Sequence, residues 1–281
     1  MSEPRVRFDD GAAYDQGMGR WSLVAGNVFL DWLAPDAGQR WIDIGCGSGA
    51  FSELLVQRCA PAEIQGVDPS EAQVAFAHTR PTTRNAAFQL GDAMALPFPN
   101  DRFDAAVMAL VIFFVPDPAK GVAEMARVVR PGGIVAAYAW DDLGGGGFPF
   151  APIQEELRAM GFNPPRPPSL GASRVEAMRG LWAGAGLEAI EAREIAISRG
   201  FADFDEFWTL STMTGSTRPI LATMAPGEVE HLKVRVHARM TVDAQGRVTH
   251  NARANAVKGR VPGYGDAQNL PLHVGPLGEI V

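Results

Sequence analysis

Cysteine and histidine are scarce in this sequence. Two cysteines, Cys46 and Cys59, and five histidines occur among 281 residues. The cysteines form no C-x-x-C pair and the histidines show no zinc-ligand spacing, so we expect neither a disulfide framework nor a metal site. Such cysteine usage is unremarkable in a reducing compartment, and we expect a cytoplasmic protein.

Long apolar segments are also missing. The longest apolar run extends from Ala105 to Val115 and is too short to cross a bilayer. The first ten residues are polar and charged and contain no apolar signal core. These features predict a soluble protein without a membrane partner.

Positive charge and two common catalytic motifs are lacking as well. A formal net charge of -7 argues against broad binding to phosphate backbones, so no nucleic-acid partner is expected. No serine stands in G-x-S-x-G, which excludes hydrolases with a nucleophile elbow. The three tyrosines, Tyr14, Tyr138 and Tyr264, are not followed by lysine at the Tyr-x-x-x-Lys spacing of short-chain dehydrogenases.

What the sequence does contain is a short β-type run that ends in alternate glycines. Gly45, Gly47 and Gly49 follow the run 41–44, and apolar residues then recur at helical spacing. Glycine permits positive φ angles and leaves no side chain between the backbone and a ligand. A strand, a glycine turn and a helix N-terminus in this order predict a nucleotide-binding cradle.

Two acidic residues follow the next two β-type runs. The glycines also fit the dinucleotide fingerprint, and Asp68, after the run 64–67, stands where a ribose-binding carboxylate is expected. Both cofactor classes carry a ribose, so Asp68 does not separate them. Asp92 follows the run 87–90, near the expected position of an adenine edge, and favours an adenosyl cofactor over a dinucleotide.

Together these residues resemble the class I S-adenosylmethionine-dependent methyltransferases, in particular the group related to the ubiquinone/menaquinone-biosynthesis methyltransferases. The resemblance is strongest over residues 41–140. Ordered pieces at the family's spacing are more specific than the glycines alone. The matching pieces are Ile42–Gly49, Val67–Ser70, Gly91–Ala93 with Leu96–Phe98, Phe103–Asp104 and Arg127–Gly133.

The resemblance implies S-adenosylmethionine as the cofactor and a small-molecule methyl acceptor. Tyr14 and the Met-Gly-Arg-Trp segment look like the family's lid, in which Arg20 is expected to pair with the methionine carboxylate of the cofactor. No N/D-P-P-Y/F motif follows the fourth strand, which favours a small molecule over nucleic acid or protein as acceptor. The other implied cofactor contacts are Gly45, Cys46, Gly47, Asp68, Pro69, Asp92, Ala93 and Leu110.

The sequence specifies the acceptor pocket and a catalytic base less well than the cofactor contacts. Phe113 and Phe114 could line the methyl-transfer pocket, and Asp141, His231 and His237 are candidates for a general base near its mouth. Each histidine fits a solvated helix face better, so no residue is assigned as catalytic. An NAD(P)-binding Rossmann oxidoreductase and a non-catalytic cofactor-binding regulator remain alternatives, because a fold does not fix a function.

Strand and helix patterns alternate along the central part of the chain, which predicts a mostly parallel sheet with helices on both faces. The resemblance extends this to an α/β, Rossmann-like, seven-stranded sheet with helical lid insertions. The expected divisions are an N-terminal helical lid (1–40), a cofactor-binding core (41–140), the remainder of the core (141–262) with cap insertions at 141–170 and 203–242, and an irregular tail (263–281).

Overall fold

The strands of the described chain form one sheet. A computed structural model describes residues 15–83, 86–142, 147–213 and 217–263. The strand order is β3-β2-β1-β4-β5-β8-β6, and β7 pairs with β8. The strands are β1 (Arg40–Ile44), β2 (Glu63–Asp68), β3 (Ala86–Leu90), β4 (Phe103–Ala109), β5 (Val129–Trp140), β6 (Glu188–Phe201), β7 (Thr241–Val242) and β8 (Val248–Arg260).

Helices connect most of these strands. A π-helical turn, Asp15–Gly19, leads into the first α-helix, and 3-10 turns cover Pro81–Thr83, Ile112–Phe114 and Leu170–Ser173. The α-helices are α1 (Arg20–Leu33), α2 (Ala50–Cys59), α3 (Glu71–Ala77), α4 (Pro118–Val128), α5 (Ala151–Ala159), α6 (Val175–Gly184), α7 (Phe204–Thr212), α8 (Thr217–Leu221) and α9 (Pro226–His237). Each of these helices is too short or too polar to cross a membrane.

The strand order places the loops that carry the motifs at one edge of the sheet. Strands β1 to β5 are parallel, and β8 runs antiparallel to both β5 and β6. From β1 the chain moves outward through β2 to β3, and then crosses to β4 and β5 on the other side. Right-handed crossovers therefore place α2 and α3 on one face and α4 on the other. The order reverses between β1 and β4, which is where ligands bind in such sheets.

Helix α1 belongs to the core as well as to the cavity wall. Trp21 and Phe29 are buried on its inner face, and Phe29 lies 4.7 Å from the ring of Tyr138 on β5. Trp21 packs against Phe201 at the end of β6, with ring centroids 6.2 Å apart. The apolar side chains of α1 thus pack against both β5 and β6.

The predicted Rossmann-like, mostly parallel sheet with helices on both faces is confirmed, with differences in detail. The two-residue strand β7 adds an eighth member, because the turn after it brings Thr241 and Val242 back alongside β8. The predicted cap segment 203–242 contains α7, the short helix α8 and α9. Strand β5 begins at Val129, directly after α4, because Val129 already pairs with Phe103 before a bulge.

Candidate active site

A cavity of about 460 Å³ lies at the carboxyl ends of the parallel strands. It is bounded by the turn after β1, by the ends of β2 and β3, by the segment after β4 and by the start of α1. Its wall is formed by Ser22, Leu23, Asp43, Gly45, Cys46, Gly47, Ser48, Ala50, Phe51, Leu54, Asp68, Pro69, Ser70, Gln73, Gly91, Asp92, Ala93, Ala109, Leu110, Val111, Phe114, Val115, Pro116 and Tyr138.

The turn after β1 requires glycine for two different reasons. Gly45 has a φ of +71°, and a Cβ placed there would lie 2.5 Å from both methyl carbons of Val111. Gly47 has a φ of +50°, and the nearest atom to a Cβ there would be Oε1 of Gln73 at 3.9 Å. Gly45 thus permits close packing against the segment after β4. Gly47 leaves the backbone open toward the cavity.

Asp68 connects the end of β2 to this glycine turn. One carboxylate oxygen accepts a hydrogen bond from the Gly47 N–H at 2.9 Å, and the other accepts one from the Ser70 N–H at 2.9 Å. Burial raises the pKa of Asp68, and the two backbone hydrogen bonds oppose that rise. Each oxygen keeps a further lone pair, so the carboxylate can still accept hydrogen bonds from a ligand.

Asp43 is a fully buried carboxylic acid in the floor of the cavity. Its Oδ2 accepts a hydrogen bond from the Ser52 hydroxyl at 2.7 Å, whereas Oδ1 has no hydrogen-bond partner within the described residues. Burial raises the pKa of Asp43 to about 7, and the nearby Asp68 charge adds to the rise. The same burial raises the pKa of the Cys46 thiol, so Cys46 is a neutral apolar wall residue.

The segments after β3 and β4 add two further features to the wall, an exposed carboxylate at Asp92 and a strained backbone at Leu110. Asp92 is exposed, and its Oδ1 accepts a hydrogen bond from the Met94 N–H at 2.8 Å. Leu110 has a φ of +63°, which is rare for a residue with a branched side chain. Its N–H donates to the Tyr138 carbonyl oxygen at 2.8 Å, which holds it in that conformation. Backbone strain of this kind concentrates at ligand-binding positions.

The rest of the wall is largely apolar. Leu23 is 47% exposed, and Phe114, Val115 and Pro116 line the cavity after β4. Ser169 fixes that segment, because its hydroxyl donates to the Val115 carbonyl oxygen at 2.7 Å. An apolar molecule, or the apolar part of one, could therefore pack beside the glycine turn.

The cavity brings together most of the residues predicted as cofactor contacts. Arg20 is exposed and is not among the residues of the wall, and Tyr14 lies outside the described residues. Whether these residues bind a cofactor stays a prediction. The predicted contacts that share the wall are Gly45, Cys46, Gly47, Asp68, Pro69, Asp92, Ala93 and Leu110.

The candidate bases lie elsewhere. Asp141 is buried and forms an ion pair with Arg253, whose Nη2 donates at 2.7 Å. His231 and His237 are exposed, and His237 stacks on Phe204 with ring centroids 4.3 Å apart. None of the three belongs to the cavity wall. Within the described ranges no group of histidine, cysteine and acidic side chains could hold a metal ion.

Sequence reasoning missed several wall residues. Tyr138, on β5, and Ser22 and Leu23, on α1, reach the cavity through the packing of distant segments, and no local motif marks them. Gln73 did carry a signal, since it stands in the first turn of a helix whose N-cap, Ser70, comes two residues after Asp68. Asp43, which stands inside the matching piece Ile42–Gly49, also forms part of the wall.

The central part of the chain is similar to known methyltransferases. Residues 42–137 match the family model described as a methyltransferase domain. The matched segment is about a third of the chain, and it favours the methyltransferases over the dinucleotide-binding enzymes that the glycine motif left open. Over part of its length the chain is similar to proteins named as quinone methyltransferases.

The relatives cover only part of the chain. It is 36% identical over 120 residues to the ubiquinone/menaquinone biosynthesis C-methyltransferase UbiE of Roseobacter denitrificans, covering 41% of this chain and 48% of that protein. It is 36% identical over 117 residues to the 2-phytyl-1,4-naphtoquinone methyltransferase of Synechococcus elongatus, covering 40% and 48%. The chain thus spans about half the length of these curated relatives.

The fold extends further than the sequence similarity. A solved structure of phosphoethanolamine N-methyltransferase 2 from Haemonchus contortus, in complex with S-adenosyl-L-methionine, superposes with a TM-score of 0.57. The two sequences are 18% identical, and the match covers 90% of this chain and 56% of that one. At this level of identity the similarity shows a shared fold and nothing about the acceptor.

Proposed function

We propose that the protein is an S-adenosylmethionine-dependent methyltransferase that acts on a small, largely apolar or aromatic acceptor. The observation that carries the proposal is one cavity that joins the glycine turn to Asp68 and Asp92 at the ends of successive strands, inside a methyltransferase domain. An apolar wall after β4 continues the same cavity.

The residues present fit the cofactor. Asp68 is held by two backbone N–H groups in a position to accept hydrogen bonds from a ribose diol. Asp43 offers a buried oxygen without a partner in the described chain, which an ammonium group of the methionine tail would satisfy. The Asp92 carboxylate, after the neighbouring strand β3, would accept a hydrogen bond from the edge of the adenine ring. Ala93, Pro69 and Leu110 would pack against the adenosyl group.

The chain's contribution to the reaction would be binding and alignment. When bound, the sulfonium of the cofactor supplies an already activated methyl group. Proper orientation of two reactants can lower a barrier by about 7 to 11 kcal/mol, so a dedicated base is not required. Phe114, Val115 and Pro116 would orient an apolar acceptor and exclude water from it.

The two predicted cap segments contact each other. Glu156 of α5 accepts hydrogen bonds from Arg235 of α9 at 2.6 Å and from Arg239 at 3.1 Å. Described residues of 141–170 and 203–242 contribute nothing to the wall of the cavity. We propose that this pair of segments covers the acceptor from outside, as the family resemblance implies.

Ligand binding followed by turnover tests the proposal. Calorimetry should show binding of S-adenosylhomocysteine and none of NADH. Transfer of a radiolabelled methyl group from S-adenosylmethionine should then appear with at least one member of a panel of phenols, quinols and other small metabolites. Heat with NADH alone would refute the cofactor assignment, and cofactor binding with strict dependence on an RNA or protein acceptor would refute the acceptor class.

A further inference from the structure

Two arginines without a carboxylate partner lie together beside the start of α1. Nη1 of Arg199, near the end of β6, donates to the Gly17 carbonyl oxygen at 3.3 Å, one helical turn before Arg20. The Arg199 guanidinium lies 4.6 Å from the ring centroid of Phe201 and 5.8 Å from that of Trp21. In the part of the chain that the structure describes, neither guanidinium forms an ion pair. The aromatic rings therefore hold a cation in place without neutralising it.

The local electrostatics favour an anion at this position. Burial lowers the pKa of Arg199, and the positive charge of Arg20 lowers it further. Glu206 acts in the opposite direction, but its Oε2 is already bonded to the Ala202 N–H at 2.6 Å. Two cations held close together repel each other, and a bound anion would relieve that repulsion.

The pair lies on the side of the sheet that carries the cavity. Arg20 precedes Leu23 by three residues on α1, so the two side chains share one face of the helix, and Leu23 belongs to the cavity wall. Strand β6 has the same direction as β5, because both are antiparallel to β8. The Arg199 end of β6 is therefore on the ligand-bearing side of the sheet, two strands or about 10 Å sideways from β5. Arg199 lies four residues past Ile195, which is level with Trp140 at the end of β5.

We propose that Arg20 and Arg199 together form a two-guanidinium site that binds a carboxylate on the side of the sheet that carries the cavity. The inference rests on the proposed function and extends it, since it adds a second cation, from a distant strand, to the one that the sequence suggested. Guanidinium groups bind carboxylates through paired hydrogen bonds in one plane. The carboxylate belongs either to the methionine tail of the cofactor or to an acidic acceptor.

The test variant keeps the packing and removes the charge. Arg199→Met retains an unbranched stem against the two aromatic rings, so the melting temperature of the ligand-free protein should change little. Arg193→Gln is the matched control, because Arg193 is an exposed arginine of the same strand whose Nε donates only to the Glu194 carbonyl oxygen, at 3.4 Å. Arg199→Lys, which keeps a charge without the planar fork, should fall between the wild type and Arg199→Met.

The first arm compares S-adenosylhomocysteine with 5′-methylthioadenosine, which lacks the amino-acid tail. Binding of both by the wild type tests the proposed cofactor site by itself, and its failure would overturn the proposed function whatever Arg199 does. If the cofactor supplies the carboxylate, Arg199→Met should weaken S-adenosylhomocysteine by about tenfold or more, as for a lost charge-assisted hydrogen bond. The affinity for methylthioadenosine should stay unchanged.

The second arm uses enzyme saturated with S-adenosylhomocysteine and compares 4-hydroxybenzoate with the neutral 4-hydroxybenzamide. If the acceptor supplies the carboxylate, the wild type should prefer the acid, and Arg199→Met should abolish that preference. Arg20→Met should weaken binding of the same ligand. The double variant should lose less binding free energy than the sum of the two single losses. The proposal is overturned if Arg199→Met leaves S-adenosylhomocysteine affinity unchanged and the acid is not preferred, or if it weakens methylthioadenosine equally.

Discussion

Replacing Asp43 with asparagine should make the ligand-free protein less sensitive to pH. Burial raises the folded-state pKa of Asp43 from its ordinary value of 3.8 to about 7. The folded protein therefore binds more protons than the unfolded chain between these pH values, so stability falls as the pH rises through that window. Three pKa units at 1.36 kcal/mol each give a loss on the order of 4 kcal/mol by pH 8.

Urea unfolding at pH 5 and pH 8 measures the part of this effect above pH 5, which is two pKa units or about 2.7 kcal/mol. Asp43→Asn is neutral at both values, so its free energy of unfolding should change less between them than that of the wild type. Asp36→Asn, at an exposed position, is the control and should behave like the wild type. Equal losses of stability in the wild type and in Asp43→Asn would refute the reasoning. If an ammonium group pairs with Asp43, S-adenosylhomocysteine should also offset the loss at pH 8 in the wild type alone.

Three further results are expected. Asp68→Asn should weaken S-adenosylhomocysteine binding roughly 10- to 100-fold in calorimetry, because a charged acceptor is lost, and unchanged affinity would contradict the ribose assignment. Gly45→Ala should lower the melting temperature, because the added Cβ would collide with Val111. A second substitution, Val111→Ala, should restore part of the lost melting temperature. If it restores none, backbone strain at position 45 is alone responsible. Burial lowers the pKa of His250, so stability should fall as the pH drops below about 6.5. In melting curves at pH 5 and 7.5, His250→Gln should reduce that fall and exposed His231→Gln should not; equal falls in all three proteins would exclude His250 as the cause.

The parts of the site that the sequence predicts well are those encoded locally. Asp68 is the last residue of a strand, and the turn geometry of Gly45 follows from the absence of a Cβ, so neither depends on distant contacts. Their positions at one edge then follow from the parallel order of the strands. This is why the sheet and the shared cavity agree with the prediction.

The parts that escaped prediction depend on packing between distant segments. Tyr138 reaches the cavity because β5 lies beside β4, and Arg199 meets Arg20 only because β6 returns to the start of α1. Arg20 was predicted from a local motif, whereas Ser22 and Leu23 of the same helix, which line the wall, carry no such signal. The ion pair of Asp141 with Arg253 joins the residue after β5 to β8, and no local pattern indicates it.

The double role of α1 limits how a ligand could enter. The side chains of Trp21 and Phe29 are buried, so an outward rigid-body movement of this helix would expose both rings to water. At about 2 to 3 kcal/mol for each large apolar side chain, such an opening would be rare. Rotation of Leu23, which is already half in solvent, would widen the entrance at little cost. Passage of ligands should therefore leave the tryptophan fluorescence of the helix almost unchanged.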